Sequence, residues 1–146
     1  MSHTHFLFHI VFATKDRKPL IAAEWEGELH AYLSGIIKNL DGQTLEIGGM
    51  PDHLHIAAHL DLKVGFPDLM REVKASSSKW VRRNRLYEFS WQRRYGAFTV
   101  SESALDGVRR YIRNQKSHHS SQTFEDEYQS LLRKHRVAFK DEYLWA

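Results

Sequence analysis

The sequence predicts an α+β fold in which an antiparallel sheet carries helices on one face. Two observations lead to this prediction. Short runs of aromatic and β-branched residues alternate with longer segments whose apolar residues recur at helical spacing. The resulting order is β-α-β-β-α-β, followed by further helices, and that order is typical of the ferredoxin-like (RRM-like) arrangement. We expect the second face of such a sheet to be left free for a ligand.

The first half of the chain supplies three strands and one helix. We predict strands at Phe6–Phe12, Thr44–Ile47 and His53–Leu60, and an amphipathic helix at Ala22–Leu40. An Asp41-Gly42 turn ends the helix. The segment from Gly48 to Asp52 is predicted to be the turn between the second and third strands.

The second half adds one strand and three helices. We predict a helix from Pro67 to about Asn84, a strand at Trp91–Val100, a helix ending near His118 and a helix at Phe124–His135. Ser101 is the predicted N-cap of the third helix, with Ala104 in its first turn. Tyr143-Leu144-Trp145 is expected to pack on the body, and a C-terminal helical extension thus completes a single domain spanning 1–146.

Composition narrows the class of protein. The chain has 146 residues, 42% hydrophobic and 27% charged, which suits an ordinary globular domain. No apolar run approaches the roughly 18 residues that span a bilayer, so we expect no membrane association. Because there is no cysteine, disulfides and thiolate metal sites are excluded. The first residues lack the features of a signal peptide, and we expect a cytoplasmic location.

Basic residues gather in the middle of a chain whose net charge is only +3. They include Lys74, Lys79, Arg82, Arg83, Arg85, Arg93, Arg94, Arg109, Arg110, Arg113 and Lys116. Acidic residues cluster instead at Glu125-Asp126-Glu127. This distribution favours a polyanionic partner, and a solvated basic face is the alternative interpretation.

His53 and His55 are separated by one residue on a predicted strand. Strand side chains alternate between faces, so both imidazoles should lie on one face, close enough to bind one cation. His59 lies about 13 Å further along the strand and is too far to share that ion. His9, in the first strand, could be a core histidine or a residue that supports a metal ligand, and we favour the structural role.

Tyr111 and Gln115 are four residues apart in a predicted helix and should lie on the same helical face. A tyrosine hydroxyl, with an ordinary pKa of about 10, becomes a useful nucleophile when a metal polarises the electrophile and basic groups stabilise the developing charge. The amide oxygen of Gln115 could complete a two-histidine metal site. His118 and His119, three and four residues later, could replace it.

Taken together, these motifs resemble a known family. The relevant segments are His9-Ile10-Val11-Phe12-Ala13-Thr14-Lys15, Gly48-Gly49-Met50-Pro51-Asp52-His53-Leu54-His55, Trp91–Ser101, Tyr111–His119 and Asp141–Trp145. In this order they are similar to the single-tyrosine HUH transposases of small insertion sequences (IS200-like) and to the related REP-associated tyrosine transposases. The resemblance extends over nearly the whole chain.

The resemblance implies a role for each matching residue. His53 and His55 would bind a divalent metal, Mg²⁺ or Mn²⁺, with Gln115 as third ligand. Tyr111 would attack single-stranded DNA, leaving a 5′-phosphotyrosine and a free 3′-hydroxyl. The family implies hairpin-bearing DNA as substrate and a homodimer as the working form. The predicted DNA-binding residues are Lys74, Lys79, Arg82, Arg83 and Arg110.

Two other functions stay open at this point. A non-catalytic module could bind single-stranded nucleic acid on a ferredoxin-like sheet by stacking and charge alone. A domesticated REP-associated relative would use the same chemistry on dispersed palindromes. A covalent protein–DNA adduct would indicate an enzyme rather than a binding module. The DNA flanking the gene would distinguish a transposase of an insertion sequence from a domesticated relative.

Overall fold

The computed structural model describes residues 2–119, 122–140 and 144. Its strands are β1 (Phe6–Ala13), β2 (Gln43–Met50), β3 (His53–Leu60) and β4 (Gly96–Thr99). Its helices are α1 (Glu26–Asn39), α2 (Phe66–Asn84), α3 (Leu105–Arg113), α4 (Gln115–His118) and α5 (Phe124–Lys134). Within these residues, no helix is both long enough and apolar enough to cross a bilayer.

The four strands form one antiparallel sheet in the order β2-β3-β1-β4. The two central strands, β1 and β3, pair along their full length, with Phe6 opposite Leu60 and Ala13 opposite His53. Because α1 and α2 provide the two crossovers, the connectivity is that of the predicted ferredoxin-like fold. The α+β prediction is confirmed.

The larger core lies between the sheet and the α1–α2 layer. Its fully buried side chains include Ile10, Phe12, Leu29, Leu33, Leu54, Ile56, Leu69 and Val81. Alternation along β1 and β3 turns the intervening side chains, among them Val11, His53 and His55, to the opposite face of the sheet.

That opposite face is covered by the C-terminal helices, contrary to the expectation that it is left free. Val11, Ala13 and Phe98 of the sheet form a second buried cluster with Phe124, Tyr128 and Leu132 of α5. Next to it, α3 lies over β2, where Arg109 and Arg113 both bind Glu46, at 3.3 and 3.0 Å. The helical extension therefore closes over the histidine-bearing face.

The β2–β3 hairpin has a tighter turn than the predicted Gly48–Asp52 segment. Met50 pairs with His53, which leaves only Pro51 and Asp52 in the turn. Gly48 and Gly49 belong to β2, where backbones come too close for a side chain. A Cβ on Gly48 would lie 2.1 Å from the carbonyl oxygen of Ile112 in α3.

The fourth strand is shorter than the predicted Trp91–Val100. Trp91 makes only an isolated bridge to Thr14, and its indole Nε1 donates to Ser77 Oγ at 2.9 Å. Lys74 Nζ donates to the carbonyl oxygens of Gln92 and Arg93. Backbone pairing around Trp91 is limited to the bonds from Gln92 N–H to the Ala13 carbonyl oxygen and from Lys15 N–H to the Ser90 carbonyl oxygen, so a regular strand begins only at Gly96.

The third predicted helix is divided in two. Asn114 (φ −97°, ψ 22°) interrupts the helix between α3 and α4, and a 3₁₀ turn at Glu102–Ala104 precedes α3. Ser101 caps that turn without a side-chain hydrogen bond, rather than capping α3. Of the predicted aromatic C-terminus, Tyr143 and Trp145 lie outside the described residues, while the Leu144 carbonyl oxygen accepts a 2.7 Å bond from Gln92 Nε2.

Candidate active site

The predicted histidine pair lies at the start of β3, where the strand leaves the hairpin turn. Both imidazoles are completely buried, and both face the C-terminal helices. Leu54, between them, packs in the core on the other face. The period of the strand thus places two ring nitrogens side by side, as the sequence predicts.

A glutamate that the sequence did not single out lies at the centre of the site. Glu127 of α5 is 1% exposed. Its Oε1 lies 3.0 Å from His55 Nε2, 3.4 Å from His53 Nε2 and 3.0 Å from His119 Nε2. Its Oε2 accepts a short hydrogen bond from the Tyr111 hydroxyl and a 2.9 Å bond from Gln115 Nε2. A single carboxylate therefore contacts all three histidines, the tyrosine and the glutamine of the site.

Each of the three histidines has its other ring nitrogen held in place. His53 Nδ1 lies 2.7 Å from Asp52 Oδ1, and His119 Nδ1 lies 2.7 Å from the carbonyl oxygen of Gln122. His55 Nδ1 lies 2.8 Å from Nε2 of His9. These bonds orient the rings so that the three Nε2 atoms converge. His9, interpreted from the sequence as structural, directly supports a site residue.

Tyr111, in α3, reaches the same point. Its ring lies edge-on to His55, with centroids 5.7 Å apart, and edge-on to His9 at 6.1 Å. Burial and the adjacent Glu127 carboxylate raise the pKa of the Tyr111 hydroxyl far above its ordinary value. The hydroxyl therefore holds its proton and donates it in a hydrogen bond to Glu127.

Neighbouring groups of the site shift one another's pKa. Although burial opposes it, hydrogen bonds from His53 and His55 keep the pKa of Glu127 far below its ordinary value. Burial also disfavours a charged His53, yet hydrogen bonds to Asp52 and Glu127 raise its pKa to about 9. The pKa of His9 falls to about 3, mainly through burial and then through His55. The centre is thus built to hold positive charge next to Glu127.

Gln115 joins the site even though the helix breaks between it and Tyr111. It begins α4, is 1% exposed, and its Oε1 lies 3.1 Å from His53 Nε2. Of the two alternatives to Gln115, His119 lies within the cluster, whereas His118 Nε2 lies 3.7 Å from Glu127 Oε2. The structure therefore brings Tyr111, both strand histidines and Gln115 together.

The predicted DNA-binding residues fall into two groups. Lys79, Arg82 and Arg83 are exposed on α2, across the sheet from Tyr111. Lys74, also on α2, donates to two backbone carbonyl oxygens before β4, and burial lowers its pKa to about 8. Arg110 is exposed beside Tyr111 and is the only one of the five near that tyrosine.

A cleft of about 910 Å³ opens next to Tyr111. Its lining combines apolar walls with Ser101, Ser103, Arg110, His118, Lys134 and His135. Two cationic side chains, Arg110 and Lys134, lie on opposite helices around it. A cleft of this size lies in the range of small-ligand sites, about 300–1,000 Å³, and both Tyr111 and Glu127 line it.

Sequence reasoning missed Glu127, although a local signal was present. The apolar stripe of α5 follows Phe124, Tyr128, Leu131 and Leu132, and helical spacing places position 127 on that same stripe. An acid on the buried face of a helix is rare unless it is paired. Glu127 had instead been grouped with its exposed acidic neighbours.

The donor set fits a divalent metal. One nitrogen from each of His53, His55 and His119 and one oxygen of Glu127 lie within 4.8 Å of one another. Ligand atoms bound about 2.1 Å from one ion lie roughly 3–4 Å apart, so a small adjustment would close these four groups on a cation. Imidazole and carboxylate are ligands that Mn²⁺ and Zn²⁺ accept together.

Comparison with known proteins agrees with this geometry. The model of the family described as transposase IS200 like matches residues 2–115. The chain is 24% identical to the ISDra2 transposase TnpA of Deinococcus radiodurans over 115 residues, which cover 74% of this chain and 82% of that protein.

Two solved structures share the fold. One is a proposed transposase from Deinococcus radiodurans R1, with a TM-score of 0.64, 22% identity, and coverage of 78% of this chain and 93% of that one. The other is a REP-associated tyrosine transposase bound to a REP hairpin, with a TM-score of 0.61, 14% identity, and coverage of 82% and 73%. Since the family model covers well over half of the sequence, the chain belongs to the IS200-like transposase family and is a DNA transposase.

Proposed function

We propose that this transposase cleaves and rejoins single-stranded DNA through a covalent 5′-phosphotyrosine at Tyr111, and that the reaction depends on a divalent metal. The observation that carries the proposal is the convergence of the Tyr111 hydroxyl, two buried histidines and a buried carboxylate at one point. A purely structural tyrosine would not require this set of neighbours.

The covalent step exchanges one phosphodiester for another. The Tyr111 oxygen attacks phosphorus, a Tyr111 O–P bond forms, and the bond from phosphorus to the 3′ oxygen breaks. As the O–P bond forms, the hydroxyl proton moves along its hydrogen bond to Glu127 Oε2. The departing 3′ oxygen takes one proton from solvent, and Glu127 returns its proton to solvent. The phosphotyrosine keeps the energy of the broken bond, so a 3′-hydroxyl can reverse the step without ATP.

For the metal, the proposal assigns His53, His55 and Gln115 as ligands of Mg²⁺ or Mn²⁺. A bound cation would polarise the scissile phosphate and offset its charge. Asp52 and His9 orient the two histidines through their Nδ1 atoms. The imidazoles favour Mn²⁺, since Mg²⁺ prefers oxygen ligands.

For the DNA, Arg110 beside the cleft is proposed to bind phosphate near the scissile bond. Lys74, Lys79, Arg82 and Arg83 would contact phosphates further along the substrate. Similarity to a REP-associated transposase bound to a REP hairpin supports hairpin-bearing single-stranded DNA as substrate. It equally supports the domesticated REP-associated role as the second candidate.

The proposal extends to assembly and location. A homodimer, which the family resemblance implies, and a cytoplasmic location, which the sequence leads us to expect, remain predictions. Because one chain contains both Tyr111 and the histidine pair in contact, we expect each subunit to use its own tyrosine. Sedimentation or light scattering would measure the oligomeric state.

A covalent adduct tests the proposal. A hairpin-bearing single-stranded oligonucleotide is incubated with the protein and Mn²⁺, and the mixture is run on a denaturing gel. We expect an adduct with the wild type and with the control Tyr32→Phe, a half-exposed tyrosine on α1. Tyr111→Phe and His53→Ala should give none, and EDTA should abolish it for every variant.

Two results would exclude the proposal. An adduct that persists in Tyr111→Phe would show that Tyr111 is not the nucleophile. Normal cleavage in His53→Ala or in EDTA would show that the reaction does not depend on the metal. Salt-sensitive DNA binding that never gives an adduct and ignores chelators would favour the non-catalytic binding module instead.

A further inference from the structure

Two donors of the site lie beyond the part of the chain that matches the family. The match ends at Gln115, whereas His119 follows α4 and Glu127 belongs to α5. Both nevertheless meet the histidine pair, with His119 Nε2 and His55 Nε2 each 3.0 Å from Glu127 Oε1. The C-terminal segment thus contributes polar groups to the candidate metal centre.

Burial makes these groups costly without a cation. Glu127 is 1% exposed, and the side chain of His119 is 5% exposed. A buried carboxylate costs several kcal/mol unless a positive charge or a metal offsets it. The described residues place no lysine or arginine within ion-pair distance of Glu127, so the side chains there that can carry positive charge next to it are histidines.

The orientation of the rings points to the same conclusion. The Nδ1 atoms of His53 and His119 face oxygens that can only accept, a carboxylate and a backbone carbonyl, so each Nδ1 carries the hydrogen. In the neutral rings, both Nε2 lone pairs then face Glu127 Oε1, which is also an acceptor. Such facing lone pairs need either a ring proton, as on a charged His53, or a metal cation between them, and a divalent metal can take the place of that proton.

Packing fixes Glu127 before any ion binds. The Phe124 ring stacks on the His53 ring, with centroids 4.1 Å apart, and Tyr128 and Leu132 are buried against the sheet. The Thr123 side chain accepts from the Asp126 backbone N–H and caps α5. The carboxylate is therefore held in place by its helix rather than recruited from solvent.

From these observations we propose that Glu127 and His119 are ligands of the same divalent cation as His53 and His55, which makes α5 part of the metal centre. The inference rests on the proposed function and deepens it by adding these two donors to His53, His55 and Gln115. With three imidazoles and one carboxylate, the centre should bind Mn²⁺ more tightly than Mg²⁺.

Metal binding, rather than activity, tests this donor set. Mn²⁺ titrations of the full chain, followed by electron paramagnetic resonance, compare the wild type with Glu127→Gln, His119→Gln and the matched control Asp126→Asn, an exposed acid one residue away. We expect Glu127→Gln and His119→Gln to weaken Mn²⁺ binding by about 100-fold or more, the upper end of what loss of an outer-shell partner costs. Asp126→Asn should bind as the wild type does.

A second measurement is independent of affinity. Electron spin-echo spectroscopy of bound Mn²⁺ counts coupled imidazole nitrogens, and we expect three histidines in the wild type and two in His119→Gln. Circular dichroism in EDTA checks that each variant keeps its fold.

Two outcomes would overturn the inference. If Glu127→Gln and His119→Gln bind Mn²⁺ normally while His53→Ala does not, the inference fails and the proposed function stands. If the wild type binds no Mn²⁺, the inference fails, and adduct formation in EDTA decides whether the metal dependence of the proposed function fails with it.

Discussion

Asp52 is a residue whose effect on the site is indirect. It lies in the hairpin turn, and its Oδ1 holds His53 Nδ1 at 2.7 Å. Partners of this kind fix the orientation of a ligand and raise its basicity. We predict that Asp52→Ala weakens Mn²⁺ binding by about 10- to 100-fold, as measured by titration.

The control for this change is Asp68→Ala, which removes an exposed carboxylate from α2 that pairs only with Arg71 among the described residues. It should leave Mn²⁺ affinity unchanged. Equal affinities for Asp52→Ala and the wild type would show that the hairpin carboxylate does not orient His53.

The contrast between His53 and Glu127 shows which residues of the site could be predicted from sequence. The histidine pair depends only on the alternation of one strand, which is local, and the predicted range of β3 agrees with the structure. Glu127 depends on α5 folding back over the sheet, a long-range contact that no local pattern specifies. Its position on an apolar stripe was the one available signal.

At the scale of elements, the contact between α3 and β2 controls where Tyr111 lies. Gly48 faces the carbonyl oxygen of Ile112, the residue after Tyr111, and a Cβ there would lie only 2.1 Å away. Backbone atoms cannot yield as a flexible side chain can. We predict that Gly48→Ala displaces α3, destabilises the protein by about 1–3 kcal/mol and abolishes adduct formation.

Gly35→Ala is the matched control, because nothing lies within 4 Å of a Cβ at that position in α1. It should stabilise the helix by about 0.5–1 kcal/mol and leave cleavage unchanged. Chemical denaturation measures both changes. A Gly48→Ala variant as stable and as active as the wild type would contradict the described packing of α3 on β2.

The break in the third predicted helix has a tertiary cause. The third helix looks continuous in sequence, since Tyr111 and Gln115 have helical spacing, but it breaks at Asn114. Both residues still reach Glu127, because α3 and α4 pack on the same side of the sheet. The tertiary environment, rather than the helical period, brings the two side chains together.

At the scale of the whole molecule, one chain contains every residue that we propose for the site. The Tyr111 and His55 rings lie 5.7 Å apart within a single subunit. Mixing tagged Tyr111→Phe and His53→Ala proteins tests this, because a tyrosine acting on a partner's metal site would restore cleavage in the mixture. We predict no restored adduct in the purified mixed species, and recovery of activity would contradict use of each subunit's own tyrosine.

The fold explains why the site is closed by the end of the chain. A ferredoxin-like sheet buries one face with α1 and α2, and its histidine face would otherwise be open to water. Helices α3, α4 and α5 cover that face and leave a cleft beside Tyr111, through which we propose that a strand of DNA approaches. Low exposure strengthens every electrostatic interaction at the centre.

The most direct test of the central claim is to identify the residue that carries the DNA. The wild-type adduct formed with Mn²⁺ is digested with trypsin and nuclease, and tandem mass spectrometry locates the phosphonucleotide. The account predicts that the modification lies on Tyr111, through a 5′ phosphate, and that it is absent without metal. A nucleotide on any other residue, or on Tyr111 through a 3′ phosphate, would contradict it.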